Sequence, residues 1–369
     1  MSGIALPRLA LASWDYAWLT RNDARQGPYR QLPARLDALV ERGYNGLRID
    51  AFPHLIAARS DGVVIDRFDV LPPHRASVQV QPRRGLIELA QQARSRGIRL
   101  WLGSRFLADT QSRRSFVRRP QDFIDIWSQT LDLLKREGLL DTVVAVDFCH
   151  HFPLPQAAYG ASRHIFRSHP LNKLAQFGIW SRATEQRAEQ YLLEVPRSLR
   201  ALFPDIAFGV STGAASERHL RALDTSELDF VDGHLWLNDD PAYAVASGSL
   251  MKGASNSFAA RLQNRVAGLV WERGREQWQR HLGDRIRELH DFARVRRMSP
   301  AIGAGFVRLP SEKGADWGWV REVCDFAVEQ ALEQGVLVIC PAVQARPHGD
   351  GLWDDVAWQQ AINQRILGR

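Results

Sequence analysis

Lysine, cysteine and methionine are scarce in this 369-residue chain, and the scarcity narrows what it can be. Only four of its 48 basic residues are lysine (Lys135, Lys173, Lys252 and Lys313); the other 44 are arginine, scattered over the whole length. The net charge of +7 therefore gathers into no basic tract, and the nearest to one, Arg113-Arg114 with Arg118-Arg119, holds four charges. Nucleic-acid binding needs a clustered footprint, so none is expected. Three cysteines (Cys149, Cys324, Cys340) are too few for a disulfide framework, and Cys149 and Cys340 end apolar runs as small core residues do. No run approaches the roughly 20 apolar residues of a membrane span. The first apolar run has no basic leader and passes straight into Trp14-Asp15, so a cytoplasmic location and no membrane contact are expected. A Gly-rich phosphate loop is also missing: Ser13-Trp14-Asp15-Tyr16-Ala17-Trp18 follows the first run instead. That speaks against a nucleotide-binding doubly wound sheet, and no cofactor is expected.

What is present is a globular composition, 45% hydrophobic and 24% charged, long enough to bury a sizeable core. Short apolar runs at 9–14, 46–49, 98–102, 143–148, 206–210, 228–236, 301–307 and 335–340 predict strands. Continuous runs such as Val143–Val146 suit parallel strands covered on both faces. Helix-period segments at 32–42, 84–96, 120–138, 182–203, 215–223, 278–297, 317–334 and 355–367 lie between or after them, the third opening with Pro120 and closing with Gly138. Strand and helix alternating eight times predicts a (β/α)8 TIM barrel, with its active mouth at the C-terminal ends of the strands. No composition break divides residues 1–369, which read as one domain with an insertion at about 238–277 near the mouth.

The strand ends are therefore where chemistry is expected. The first delivers Trp14 and Asp15, the second Arg48, Asp50 and His54, the third Arg105, the fourth Asp147 and His150-His151, and the sixth His234 and Trp236. Indole faces cover the apolar side of a pyranose while carboxylates, imidazoles and guanidiniums hydrogen-bond its hydroxyls, so this mixture suits a sugar or oligosaccharide. Structural roles compete at several positions. Arg48 and Asp50, two apart, share a face and can form an interior ion pair. Arg105 can pair with Asp109. His164, His169, His219 and His281 read as surface residues, and Asp66 and Asp229 as turn or cap residues. The His150-His151 pair with His234 and Asp147 is a conceivable metal set, but no His-x-His or His-Glu-x-x-His spacing is present and no metal is expected.

Ser13-Trp14-Asp15, the block from Gly43 to His54, Val146-Asp147-Phe148-Cys149, the block from Asp229 to Leu237 and the block from Gly351 to Trp358 together carry a resemblance over nearly the full length. The chain resembles the cellulase-like (β/α)8 glycoside hydrolases of the family-five type, the group described as sugar-binding cellulase-like proteins. The resemblance implies an acid/base Glu at the end of strand four and a nucleophile Glu at the end of strand seven, about 5 Å apart in a retaining enzyme. His150-His151 occupies the first place, and Ala304 or Gly305 the second; Glu312 in the following loop is the nearest acidic alternative. The expectation is a sugar- or glycoside-binding protein that lacks the usual catalytic pair. The alternatives are an active hydrolase with altered acid/base chemistry through His150 and His151, and a non-catalytic scaffold. The sugar, its linkage and the oligomeric state are not legible.

Overall fold

The computed structural model describes residues 4–22, 27–58, 62–73, 76–153, 159–167, 178–249, 257–308, 316–343, 345–347 and 351–369. Eight parallel strands close into a barrel: β1 (Leu9–Asp15), β2 (Gly46–Asp50), β5 (Arg99–Gly103), β7 (Val143–Asp147), β8 (Ala207–Thr212), β9 (Phe230–Trp236), β10 (Ser299–Phe306) and β11 (Val338–Ile339), with β11 pairing back onto β1. Each coincides with one of the eight strands that the apolar runs predict, and the fold is the (β/α)8 barrel. Nearly every residue of these strands is buried, because the barrel interior covers one face and the helices cover the other.

The helices follow the same logic. Pro120–Arg136 starts on Pro120, whose missing N–H is no loss at the first position, and Asp122 accepts the backbone N–H groups of Arg118 and Arg119. Phe123, Trp127, Leu131 and Leu134 recur at helical spacing and face the core, and the chain leaves the helix at Gly138 with φ +68°. Arg182–Leu202 opens on Ser181, whose hydroxyl accepts from the Thr184 N–H. No helix is long and apolar enough to cross a membrane among the described residues.

One feature departs from the sequence reading. A small antiparallel sheet of β3 (Phe68–Leu71), β4 (Val78–Val80) and β6 (Ala108–Asp109) was not foreseen. The described part of the 238–277 segment is largely helical, as Pro241–Ala246 and Ser257–Arg273. The second of these packs in the outer layer, with the Trp271 indole donating to Glu322 at 3.2 Å.

Inside the barrel the side chains form layers, as the period-two alternation of strands requires. Leu9, Leu11, Trp101, Ala145, Ala207, Phe230, Ala301, Val338 and Cys340 fill the lower part as one buried cluster, with the Trp101 and Phe230 rings 4.5 Å apart, edge to face. Two residues further along the same strand faces, the filling changes from apolar to charged. Asp147 succeeds Ala145, Asp232 succeeds Phe230, and the Arg48 side chain reaches in from β2. Gly303 makes this possible on β10: a Cβ there would overlap the Asp232 carboxylate.

Candidate functional site

Arg48 organises the upper barrel. Its Nη2 lies 3.0 Å from Asp147 Oδ2, its Nε 3.5 Å from Asp232 Oδ2, and its Nη1 3.9 Å from Asp15 Oδ1. One guanidinium thus holds three carboxylates delivered by three different strands. Each acid has further partners. Asp147 Oδ1 accepts the Ser211 N–H at 3.0 Å, Asp232 Oδ1 accepts the Gly303 N–H at 2.5 Å, and Asp15 Oδ2 pairs with Arg105 Nη2 at 2.6 Å. Arg48 and Asp50 do not form the interior ion pair that their spacing allows. Asp50 instead accepts the N–H groups of Phe52 and Arg105, both at 2.8 Å, and so shapes the loops after β2 and β5. Arg105 goes to Asp15, not to Asp109, which accepts N–H groups of Gln111 and Arg113 in its own turn.

Three imidazoles close over this charged layer. His150 and His151 stack with ring centres 4.0 Å apart and planes 14° from parallel, and His234 lies 4.9 Å and 4.7 Å from them. His151 adopts φ +56°, in the left-handed region that residues with a Cβ sparsely populate. His151 Nε2 is 2.7 Å from His234 Nδ1, and His234 Nε2 is 3.2 Å from Asp232 Oδ2. His150 Nδ1 is 3.1 Å from Arg48 Nη2 and 3.3 Å from the Ser211 hydroxyl, which also accepts the His151 N–H.

Burial and charge set the protonation states. Burial drives His150, His151 and His234 well below the usual imidazole value, and the nearby guanidiniums push the same way, so all three are neutral at pH 7. Burial works against the Asp15 carboxylate, yet Arg105 and Arg48 together outweigh it and hold the group at about 2. In Asp232 burial wins over Arg48 and the Gly303 N–H, lifting it to about 6, and burial likewise raises Asp147 against Arg48. Asp50 is lifted to about 7 by burial, against its two backbone donors.

The other expected contacts fall elsewhere. Trp14 is fully buried, its ring edge-on to Tyr29 at 5.0 Å. His54 is buried with Nε2 3.1 Å from the Leu107 carbonyl, and burial lowers it to about 3; it borders an 870 Å³ cleft beside Arg113, Asp122 and Gln129. Trp236 is half-buried under the Arg308 guanidinium, 4.5 Å from its ring centre. On its outer side a cavity of 280 Å³ is lined by Trp236, Leu237, Asp239, Asp240, His281 and Arg285. His281 Nδ1 is 2.7 Å from Asp240 Oδ2 there. Ala304 and Gly305 lie on β10 beside His234 and Leu235, and β10 carries no Asp or Glu. Glu312 and His169 lie outside the described residues. His219 is not at the surface: it is buried and stacks on Trp180 at 4.2 Å. Asp229 lies at the bend before β9, buried, where it accepts the Phe208 N–H at 2.9 Å and pairs with Arg200.

Sequence reasoning missed Asp232 and Ser211. Asp232 precedes His234 by two and Trp236 by four, so strand alternation places all three on one face. That signal was available.

The comparisons with known proteins agree with this architecture. The model of the cellulase-like family, described as sugar-binding cellulase-like, matches residues 11–367. The chain belongs to that family. Among solved structures it is similar to a putative glycoside hydrolase from Parabacteroides distasonis, with 22% identity, a TM-score of 0.82, and 98% of this chain and 94% of that one covered. It is also similar to a glycoside hydrolase family 5 mannosidase from Rhizomucor miehei, at 10% identity and TM-score 0.53, covering 98% and 94%. A third similar structure is ZgEngAGH5_4 in complex with a cellotriose, at 11% identity and TM-score 0.52, covering 97% and 95%. No curated protein matches the chain.

Among the described residues, the only group of three or more His, Cys, Asp or Glu set to hold a metal is His150, His151 and His234, whose donor atoms lie within 4.8 Å of one another. Its closest pair is nearer than a metal would place it. Two nitrogens bound at about 2.0–2.1 Å to a tetrahedral zinc stand roughly 3.3 Å apart. His151 Nε2 and His234 Nδ1 are 2.7 Å apart, a hydrogen-bond distance.

Proposed function

We propose that this protein binds a sugar or glycoside at the barrel mouth and lacks the acid–nucleophile pair of family-five glycosidases. The observation that carries the reading is what the two strand ends of the family pair present: imidazoles, His150 and His151, in the turn after β7, and no acidic side chain on β10, which runs beside β9 and His234. Asp147 and Asp232 do stand on separate strands, but both are completely buried with Arg48 between them. A carboxylate in that position lies beneath the imidazole layer and is already paired with a guanidinium, so it serves neither as nucleophile nor as acid. Ground-state recognition remains available. The Asp15–Arg105 pair, His150, His151 and Trp236 supply hydrogen bonds and a ring face, while Arg48, Asp50, Asp147 and His234 hold them in place and Trp14 and His54 pack behind.

Cellotriose is bound by one similar structure, and another is a mannosidase, so cello- and manno-oligosaccharides are the first ligands to try. Calorimetric titration and aryl-glycoside turnover should be run on the same preparation. Saturable binding without turnover supports the reading. Turnover that is abolished in His151→Ala would replace it with altered acid/base hydrolysis, and neither binding nor turnover would favour a scaffold.

A further inference from the structure

The hydrogen bonds around the three imidazoles leave little freedom in where their protons sit. A guanidinium has donors only, so His150 Nδ1, 3.1 Å from Arg48 Nη2, must accept. The single proton of neutral His150 is therefore on Nε2, which is buried and meets no acceptor among the described residues. A second chain fixes the other two rings. Asp232 takes the Gly303 N–H on one oxygen and lies within ion-pair distance of Arg48 with the other, so it faces His234 as a carboxylate. His234 must then donate from Nε2 to Asp232, which leaves its Nδ1 bare. Across 2.7 Å, His151 donates from Nε2 to that bare nitrogen. The last lone pair of the chain falls on His151 Nδ1.

We propose that the site has a locked hydrogen-bond polarity: stacked His150 and His151 present one donor (Nε2–H) and one acceptor (Nδ1), matched to a ligand hydroxyl or a pair of neighbouring hydroxyls. This rests on the sugar reading and deepens it. A hydroxyl both gives and takes a hydrogen bond, so it satisfies both nitrogens, whereas a carboxylate or phosphate would leave the Nδ1 lone pair facing a negative oxygen. The unmade bond at His150 Nε2 is the kind of deficit a bound hydroxyl removes, since a buried donor without a partner is destabilising. Asp232 and Arg48 act here as positioning residues, reaching the ligand only through the imidazoles.

The test is long-range ¹H–¹⁵N NMR of protein labelled in histidine, at pH 7.5, on wild type and Asp232→Asn. Wild type should show all three rings as the Nε2–H tautomer. In Asp232→Asn the amide nitrogen faces His234 Nε2 and donates, so the chain should reverse. His234 and His151 then switch to Nδ1–H while His150 stays unchanged. Cellotriose affinity should weaken at least tenfold in the variant, because the acceptor has become a second donor. An Nδ1–H form of His150 or His151 in wild type overturns the lock without any need of the variant. So does a shift of all three rings by one equivalent of Zn²⁺, which would make the cluster a metal site. Wild-type tautomers as stated, together with no response to cellotriose or mannotriose, uphold the lock and remove the sugar reading instead.

Discussion

Arg48 Nη2 stands 3.0 Å from Asp147 Oδ2 in a setting where neither side chain reaches solvent. The same guanidinium balances Asp232 and Asp15, so the upper barrel is a charge cluster with one cation at its centre. Replacing that cation leaves buried carboxylates without their counter-charge. Arg48→Met should destabilise the fold by about 3–5 kcal/mol, the usual result of breaking a buried ion pair from one side. Urea denaturation measures it, and a loss under 1 kcal/mol would mean that water reaches the cluster.

Gly303 is the steric counterpart of that electrostatic argument. A methyl group at this position would run into the Asp232 carboxyl, which is also bonded to the Gly303 N–H. Gly303→Ala should therefore cost about 1–3 kcal/mol by overpacking. Because the displaced carboxyl is the one that orients His234, the variant should also broaden or shift the His234 and His151 resonances. A stable variant with unmoved resonances would show that Asp232 has room to retreat.

Acid should weaken the fold in two stages. Burial keeps His54 at about 3 and His150, His151 and His234 well below their usual value, so below about pH 6.5 these groups charge only in the unfolded chain. The unfolded state then binds more protons, and stability falls as pH falls. Asp50, raised to about 7, Asp232, raised to about 6, and Asp147, also raised, work in the opposite direction. They take protons in the native state before unfolded carboxylates do at about pH 3.9, which adds stability on the way down. Between pH 6 and 4 the buried imidazoles and the buried carboxylates thus oppose one another, so the loss of stability there is shallow. Below pH 4 the carboxylate gain is exhausted and Asp15, held at about 2 by Arg105 and Arg48 against its burial, begins to lose its contribution. The slope should steepen there. Chemical denaturation at several pH values between 7 and 3.5 would show it, and a uniform slope would contradict this assignment of charges.

The barrel was legible because parallel strands covered on both faces have no choice but to be continuously apolar, and each such run in the chain became a barrel strand. The β3–β4–β6 sheet was not, because its strands are two to four residues long and give alternation too little length to register. Within the site, the sequence places residues on strand ends but does not say which alternating face points inward. That is why Trp14 looked like a ring for stacking and is instead packed against Tyr29, and why Arg48 looked like a partner for Asp50. Asp232 lies inside an apolar block that hides it, although its spacing to His234 and Trp236 ties it to them. The His150-His151 pair is conspicuous by composition, but its hydrogen-bond chain runs through His234 and Asp232, 80 or more residues away on β9, which no spacing rule encodes.

Trp236 gives the clearest separation of binding from folding. Its ring is half-buried, capped on one side by Arg308 at 4.5 Å, and it ends the strand that also presents His234 and Asp232. Truncation removes a stacking surface at the rim while leaving the charged layer below intact. Trp236→Ala should therefore weaken oligosaccharide binding by roughly two- to thirteenfold, in keeping with about 0.5–1.5 kcal/mol for an aromatic contact. The three imidazoles should keep their wild-type tautomers, because no hydrogen bond of the chain passes through the indole. Unaltered affinity would move the sugar away from β9 and toward the Asp15–Arg105 side of the mouth, whereas loss of the tautomer pattern would make Trp236 part of the support for the histidines and not a surface for the ligand.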